Sequence, residues 1–277
     1  MKCVLITGAS SGIGWATAQF LVKKGYRVFG TTRSLLNRSS VVKEANDRYG
    51  DRFQFIEMDI EQRDSVRRGV DSVVQKAGGI DALICNAGNL LFGSIEEMPE
   101  DLLIKQFNVN VFGHLRTIQA VLPYMRERRS GNIILISSIA GSLVIPYQVH
   151  YSASKYAVEA FTEGLRQELH GFGIKVSAIR PGYIETEFDA GAIKHVPGNS
   201  PYRKWSDIMW VEITKLAQKA LPTVTVAEQV YRILKKRNPK SFYTVASFVE
   251  SLGPFLAPVM PHALKEKLIR MFYRIDS

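Results

Sequence analysis

Tyr151 and Lys155 stand four residues apart in HYSASKYAVEAF, and Ser138 lies 13 residues before Tyr151 in LISSIAG. On a helix, residues i and i+4 share a face, so the ammonium of Lys155 can stand beside the phenol of Tyr151. A neighbouring cation favours the phenolate and lowers a pKa that starts near ~10. A tyrosine tuned in this way can act as a general acid or base. The spacing alone also occurs on solvated helix faces, so the trio gains meaning only from the elements that would hold it together.

The chain opens MKCVLITGASSGIGWATAQFLVKKGYRVFGTT. An apolar run, Val4 to Ile6, leads into Gly8, Ser10, Ser11, Gly12, Ile13 and Gly14. Ile13, Ala16, Phe20 and Leu21 follow at helical spacing up to Gly25, and Arg27 to Thr31 reads as a second strand. Strand, glycine turn, helix and strand make a βαβ unit that can bind a dinucleotide. Its glycines allow a tight turn and close approach of a pyrophosphate to backbone N–H groups at the helix N-terminus.

Further strands are expected at FQFIEMDI (53–60), DALICNAG (81–88), NIILISS (132–138) and KVSAIRP (175–181). Helices are expected at 62–77, with Val66, Val70, Val73 and Val74 on one face, and over roughly 99–129. Near-continuous apolar strands alternating with helices predict an α/β fold, a doubly wound parallel sheet covered on both faces. Ligands of such sheets bind at the carboxyl ends of the strands. Gly8, Asn86, Ser138 and Pro181 all fall there.

These stretches together resemble the short-chain dehydrogenase/reductase family in its single-domain form. TGxxxGxG appears as Thr7 to Gly14, and NNAG as Cys85-Asn86-Ala87-Gly88, with Cys in place of the first Asn. The serine motif is Ser138-Ile139-Ala140-Gly141, YxxxK is Tyr151 to Lys155, and the helix asparagine is Asn110 in Asn108-Val109-Asn110. Pro181-Gly182-Tyr183-Ile184-Glu185-Thr186 matches the PG motif with its downstream threonine. The likeness covers residues 4 to about 187. It implies one Rossmann domain over 1–277, with a substrate lid at about 188–222 and a helical extension at about 248–277. It also implies ketone–alcohol interconversion with a nicotinamide cofactor. Tyr151 would donate the proton and Ser138 would hold the carbonyl oxygen. Lys155 would tune the phenol and grip the nicotinamide ribose, and Asn110 would hold a water linking Lys155 to solvent. Asp59 and Ile60 would meet the adenine and Thr186 the carboxamide. Asn86, Ala87, Gly88, Pro181, Gly182 and Ile184 would line the cofactor. Relatives commonly form homodimers or homotetramers through helices near 99–129 and 151–172.

Cofactor choice can be argued from charge. NAD-preferring sites usually carry an acid at the end of the second strand. Here the sequence is Gly30-Thr31-Thr32-Arg33-Ser34. Arg33 can pair with a 2′-phosphate, so NADP(H) is expected over NAD(H). Ser11, before the second motif glycine, is not basic, so a second phosphate contact seen in some relatives is missing.

The lid segment carries Phe188, Ile193, Tyr202, Trp205, Ile208, Met209 and Trp210, and Val144, Ile145 and Tyr147 follow Ser138. With Val144 and Tyr147 beside Ser138 and Tyr151, these predict a pocket for a bulky hydrophobic substrate such as a steroid, retinoid or lipid-like compound. The length and C-terminal extension are similar to the hydroxysteroid and retinol dehydrogenase branch. A smaller-substrate carbonyl or 3-oxoacyl reductase, or a non-catalytic NADP-binding scaffold, remain alternatives.

The composition, 46% hydrophobic and 22% charged, excludes broad disorder. Cys3 and Cys85 lie in apolar runs and are expected as buried reduced thiols, and no Cys/His spacing suits a metal. With no room for a leader before residue 4 and no long apolar run, a cytoplasmic protein is expected. The net charge is +10, and from residue 190 onward 14 Lys and Arg face 6 Asp and Glu. No nucleic-acid partner is expected. Lys235-Lys236-Arg237 would end a helix whose capping box is Thr225 to Glu228. In the last segment Leu264, Leu268, Ile269, Phe272 and Ile275 form a stripe, with Lys265, Lys267, Arg270 and Arg274 off it. Such a helix can dock on its own domain, join a subunit interface or touch a membrane weakly.

Overall fold

The computed structural model describes residues 1–186 and 192–275. Its centre is a seven-stranded, wholly parallel sheet. The strands are β1 (Cys3–Ile6), β2 (Arg27–Thr32), β3 (Phe53–Glu57), β4 (Ala82–Cys85), β6 (Gly131–Ile136), β7 (Ile174–Pro181) and β9 (Phe242–Val245). Their spatial order is β3-β2-β1-β4-β6-β7-β9. The order reverses between β1 and β4, which opens a crevice at their carboxyl ends. A small second sheet pairs β5 (Leu91–Phe92) with β8 (Ile193–Lys194).

Helices cover both faces, which is why the central strands are apolar throughout. On one side α3 (Arg63–Ala77), α5 (His114–Glu127) and α6 (Val149–Glu168) flank a core that includes Val66, Val70, Val73, Leu83 and Leu135. On the other, α1 (Gly12–Lys23), α2 (Ser39–Tyr49) and α8 (Thr223–Lys235) flank Val4, Ile6, Leu21, Phe53 and Val230. A third, smaller cluster joins Leu90, Phe92, Ile145, Tyr151, Met209 and Tyr273 above the crevice. It is covered by α7 (Arg203–Ala217), and Ile269 and Ile275, in and after α10 (His262–Phe272), pack against it. The helix α9 (Phe248–Leu256) follows β9.

Three strands extend less far than their apolar runs or motifs. β3 stops at Glu57, β4 at Cys85 and β6 at Ile136. The residues beyond these ends, together with those after β7, turn out of the sheet and build the crevice. The helical region 99–129 is divided. α4 (Glu100–Phe107) passes through a π-helical turn, Asn108–Gly113, into α5. A π turn inserts extra backbone per turn and redirects side chains, which is common at functional sites. The capping box expected at Thr225–Glu228 does not form. α8 starts three residues earlier, with Pro222 as its N-cap, so Thr225 Oγ1 donates back to the Pro222 carbonyl (2.7 Å) and Glu228 pairs with Arg232 (2.9 Å). A capping box does form at α9, between Ser247 and Glu250. α8 ends at Lys235, with Lys236 as its C-cap, in keeping with cations at a helix C-terminus.

Candidate active site

A cleft of about 590 Å³ runs along the carboxyl ends of the strands. Its first part is the turn after β1. Gly8 has φ +64°, a conformation side-chain-bearing residues rarely adopt, and an added Cβ would meet Ala87 Cα at 2.9 Å. Gly14 lies against Gly8 O and Asn86 Nδ2, at 2.3 and 2.6 Å from any added Cβ, so helix and turn close tightly. Ser10, Ser11, Gly12 and Ile13 line the cleft. Ser11, the N-cap of α1, makes no side-chain cap, and the first turn contains no acid. The amides at this helix start thus face the cleft beside a positive dipole end, which suits an anion.

Asn86 fixes the turn after β4. Its Nδ2 donates to the carbonyls of Thr7 and Gly8 (both 3.0 Å), and its N–H donates to Thr7 Oγ1 (2.9 Å). Ala87, Gly88, Pro181, Gly182, Ile184 and Thr186 also line the cleft. Thr186 packs under Gly12, where an added Cβ would lie 3.3 Å from its Cγ2. Arg33 lines the end above β2, joined by Arg38. Met58 and Ile60 line the neighbouring wall. Asp59, between them, is not among the lining residues: its Oδ1 accepts from the Glu61 N–H (3.0 Å) and its own N–H donates to Ser65 Oγ (3.0 Å).

Ser138, Tyr151 and Lys155 meet at the floor. Ser138 leaves β6, and its Oγ accepts from the Ala140 N–H (3.2 Å). α6 brings Tyr151 and Lys155 to one face, with Lys155 Nζ 5.6 Å from the Tyr151 ring centre. Nζ donates to the Ile136 carbonyl (2.8 Å). Burial lowers the Lys155 pKa to about 8, because the charged form is poorly solvated there. Asn110 stands behind the floor, wholly buried in the π turn. Its Nδ2 donates to Asn89 O (3.0 Å) and Ser154 Oγ (3.1 Å), and its Oδ1 accepts from the Asn89 N–H (2.9 Å). The sequence thus brings Ser138, Tyr151 and Lys155 into one cleft, with Asn110 one layer back.

Two expected substrate contacts lie elsewhere. Val144 is 47% exposed outside the cleft lining, and the Tyr147 ring stacks on Phe92, 6.0 Å between centres. Ile145 and Gln148 line the cleft beside Tyr151 instead. Of the lid, Phe188 lies outside the described residues. Ile193 lines the cleft, whereas Met209 is fully buried and Trp210 packs edge-on against Phe92 at 4.8 Å. Arg38 and Lys105 are cleft residues that the motif reading missed. Arg38 could have been suspected from its place five residues after Arg33, while Lys105 sits on α4 and carries no local signal.

Beneath the floor, His114 is fully buried and its Nε2 lies 2.8 Å from the Ala87 carbonyl, which requires that nitrogen to be the donor. Burial, followed by the charge of Lys155, lowers its pKa to about 3. The folded state therefore keeps His114 neutral where the unfolded chain, with a pKa near ~6.5, takes up a proton. Stability should fall as pH drops from about 6.5 towards about 3, by up to ~1.4 kcal/mol per unit. Urea melts across that range should show this slope, and His114→Asn should flatten it.

The match to known proteins agrees with this geometry. Residues 2–196 match the model of the short chain dehydrogenase family. The chain belongs to that family. Over 276 residues it is 35% identical to the 3-ketodihydrosphingosine reductase of Bacteroides thetaiotaomicron, covering 99% of this chain and 98% of that one. It is 32% identical over 260 residues to the NADPH-dependent 3-dehydrocapnine reductase of Ornithobacterium rhinotracheale, covering 89% and 88%. Among solved structures it resembles ElxO with NADP bound, 28% identical with a TM-score of 0.75, covering 90% and 99%. This short-chain dehydrogenase is thus an oxidoreductase acting on CH–OH and C=O groups. The cleft fits a nicotinamide dinucleotide: the glycine turn and helix start suit a diphosphate, and the apolar walls suit the rings. Among the described residues, no group of His, Cys, Asp and Glu could hold a metal ion, and no helix is long and apolar enough to cross a membrane. Cys3 and Cys85 are buried free thiols.

Proposed function

We propose that this enzyme uses NADPH to reduce the ketone or aldehyde of a bulky hydrophobic compound to the alcohol, with the reverse oxidation at the same site. The carrying observation is that Ser138, Tyr151 and Lys155 share one cleft with the glycine turn. A bound nicotinamide dinucleotide supplies the hydride. Ser138 Oγ holds the carbonyl oxygen by a hydrogen bond, and the Tyr151 phenol gives it a proton. Lys155, anchored on the Ile136 carbonyl, keeps a positive charge beside that phenol and binds ribose hydroxyls. Asn110, hydrogen-bonded to Asn89 and Ser154, orders the path by which Lys155 recovers a proton. Leu90, Ile139, Ile145 and Ile193 give the substrate end its apolar walls, which favours a lipid-like compound.

NADPH preference rests on Arg33 and Arg38, both at the β2 end of the cleft and able to flank a 2′-phosphate. The names of the relatives point the same way: one is an NADPH-dependent 3-dehydrocapnine reductase and the other a 3-ketodihydrosphingosine reductase. With a hydrophobic ketone, kcat/KM should favour NADPH over NADH by at least ~10-fold, the worth of one charge-assisted contact. The double variant Arg33→Ala/Arg38→Ala should remove that preference through KM. Equal use of both cofactors by the parent enzyme would refute it. Exposed Ile104 and Phe112 on α4 and the π turn, and Tyr156 on α6, support a homodimer or homotetramer through those faces. The buried free thiols support a reducing compartment such as the cytoplasm.

A further inference from the structure

The exposed large apolar side chains of the described residues concentrate in the two C-terminal helices. On α9, Phe248 is 80% exposed and Phe255 77%, with Val249, Leu252 and Leu256 also exposed. At 100° per residue these five fall on one stripe, while Glu250 and the buried Pro254 lie on the opposite side. That opposite side does the holding. Glu250 caps its own helix and accepts from the Tyr183 N–H (2.8 Å), and Gly253 sits against Leu143. Val259, 80% exposed, carries the apolar surface into the turn between the helices.

The second helix repeats the pattern with charge at its edge. Leu264, Leu268, Met271 and Phe272 are exposed on one stripe of α10. Lys265, half-buried, and Lys267, exposed, stand on its two flanks, and Glu266 falls on the far side. Ile269 and the buried Tyr273 anchor the inner face in the small core that also holds Tyr151. Both helices are therefore fixed to the wall of the catalytic cleft by one side and present uncovered hydrocarbon on the other.

We infer that α9 and α10 seat this enzyme on the surface of an anionic lipid bilayer. An apolar stripe with cations beside it matches acyl chains under negative headgroups. The chain as a whole carries +10, which favours approach to such a surface. A second copy docking stripe to stripe would bring Lys265 and Lys267 up against like charge, whereas anionic headgroups neutralise them. Nucleic acid offers nothing to Phe248, Phe255 and Val259. The seat deepens the reading of a hydrophobic substrate, which would pass from the bilayer into the adjoining cleft, but it rests on the surface itself.

The test is sedimentation of the full-length enzyme with vesicles of phosphatidylcholine alone and of phosphatidylcholine with phosphatidylglycerol. The parent should co-sediment with the mixed vesicles, and high salt should weaken it. Phe248→Ser/Phe255→Ser should lower vesicle affinity at least about tenfold, and Lys267→Glu should remove the preference for anionic lipid. Both variants should keep the parental turnover of a water-soluble ketone. A parent that stays in the supernatant, or apolar variants that bind as well as the parent, would overturn the inference. So would an oligomer in lipid-free solution that Phe248→Ser/Phe255→Ser breaks, since that makes the stripe a contact between copies. Vesicle binding by a parent that turns over no ketone would leave the seat standing and remove the proposed reaction.

Discussion

Tyr151→Phe should lower kcat for ketone reduction by ~10²–10⁴-fold, the usual worth of a positioned proton donor. NADPH affinity should change little, because the substitution removes one hydroxyl from a ring that stays packed with Leu90 and Ile145. The melting temperature should likewise hold, which separates lost chemistry from lost fold. Stopped-flow single turnover with excess enzyme would read the chemical step directly. In the parent, kcat/KM for reduction should decline as pH rises through about 8, where Lys155 in the free enzyme gives up its proton. Near-parental turnover by Tyr151→Phe would remove the phenol from the reaction.

A second large effect is expected at a pair that does not touch the cleft contents. Glu159 lies one turn beyond Lys155 on α6. Its carboxylate accepts from Arg180 Nε (2.7 Å) and Nη2 (2.6 Å) and from Ser137 Oγ (3.1 Å). Arg180 in turn lies over the Phe242 ring, 4.1 Å from its centre. One side chain thus ties the catalytic helix to the residue before Ser138 and to the strand that ends in Pro181. Burial pushes the Glu159 pKa up and Arg180 pulls it back, so the carboxylate depends on that partner. Glu159→Ala would leave the Arg180 charge buried without its counter-ion, at a cost of about 3–5 kcal/mol. Denaturant melts should show that loss. Glu159→Leu/Arg180→Met should regain most of it, since removing both charges of a buried pair costs far less than removing one. A single variant within about 1 kcal/mol of the parent would show that the pair adds little.

Much of this fold could be read from local pattern. The runs at 4–6, 27–31, 81–88 and 132–138 each yielded a central strand, the last two shorter than expected, because only a sheet covered on both sides asks for such runs. The motif residues Gly8, Asn86, Ser138 and Pro181 were readable as one site since the carboxyl ends of parallel strands converge. What stayed hidden depends on contacts between distant segments. Phe242–Val245 is a short, partly buried edge strand, and nothing local distinguishes it from a loop until β7 is beside it. Tyr147 looked like a pocket residue by its distance from Ser138, yet its φ of +58° carries the ring over to Phe92. The box at Thr225 had suitable letters, but Pro222 started the helix before it. The division of 99–129 by a π turn carried no letter code at all.

The placement of β1 bears on how the chain is made. Its four residues pair with β2 on one edge, Val4 to Ile6 pair with β4 on the other, and the Cys3 N–H reaches Asp81 Oδ2 (2.6 Å). During synthesis the first edge is satisfied within one helix's length, but the second must wait until Ala82–Cys85 has left the ribosome. A nascent chain therefore exposes a greasy ribbon of unpaired amides through that interval, when it is most open to sticking to its neighbours. Fragments that stop short of β4 should for the same reason be insoluble, however well their own helices form.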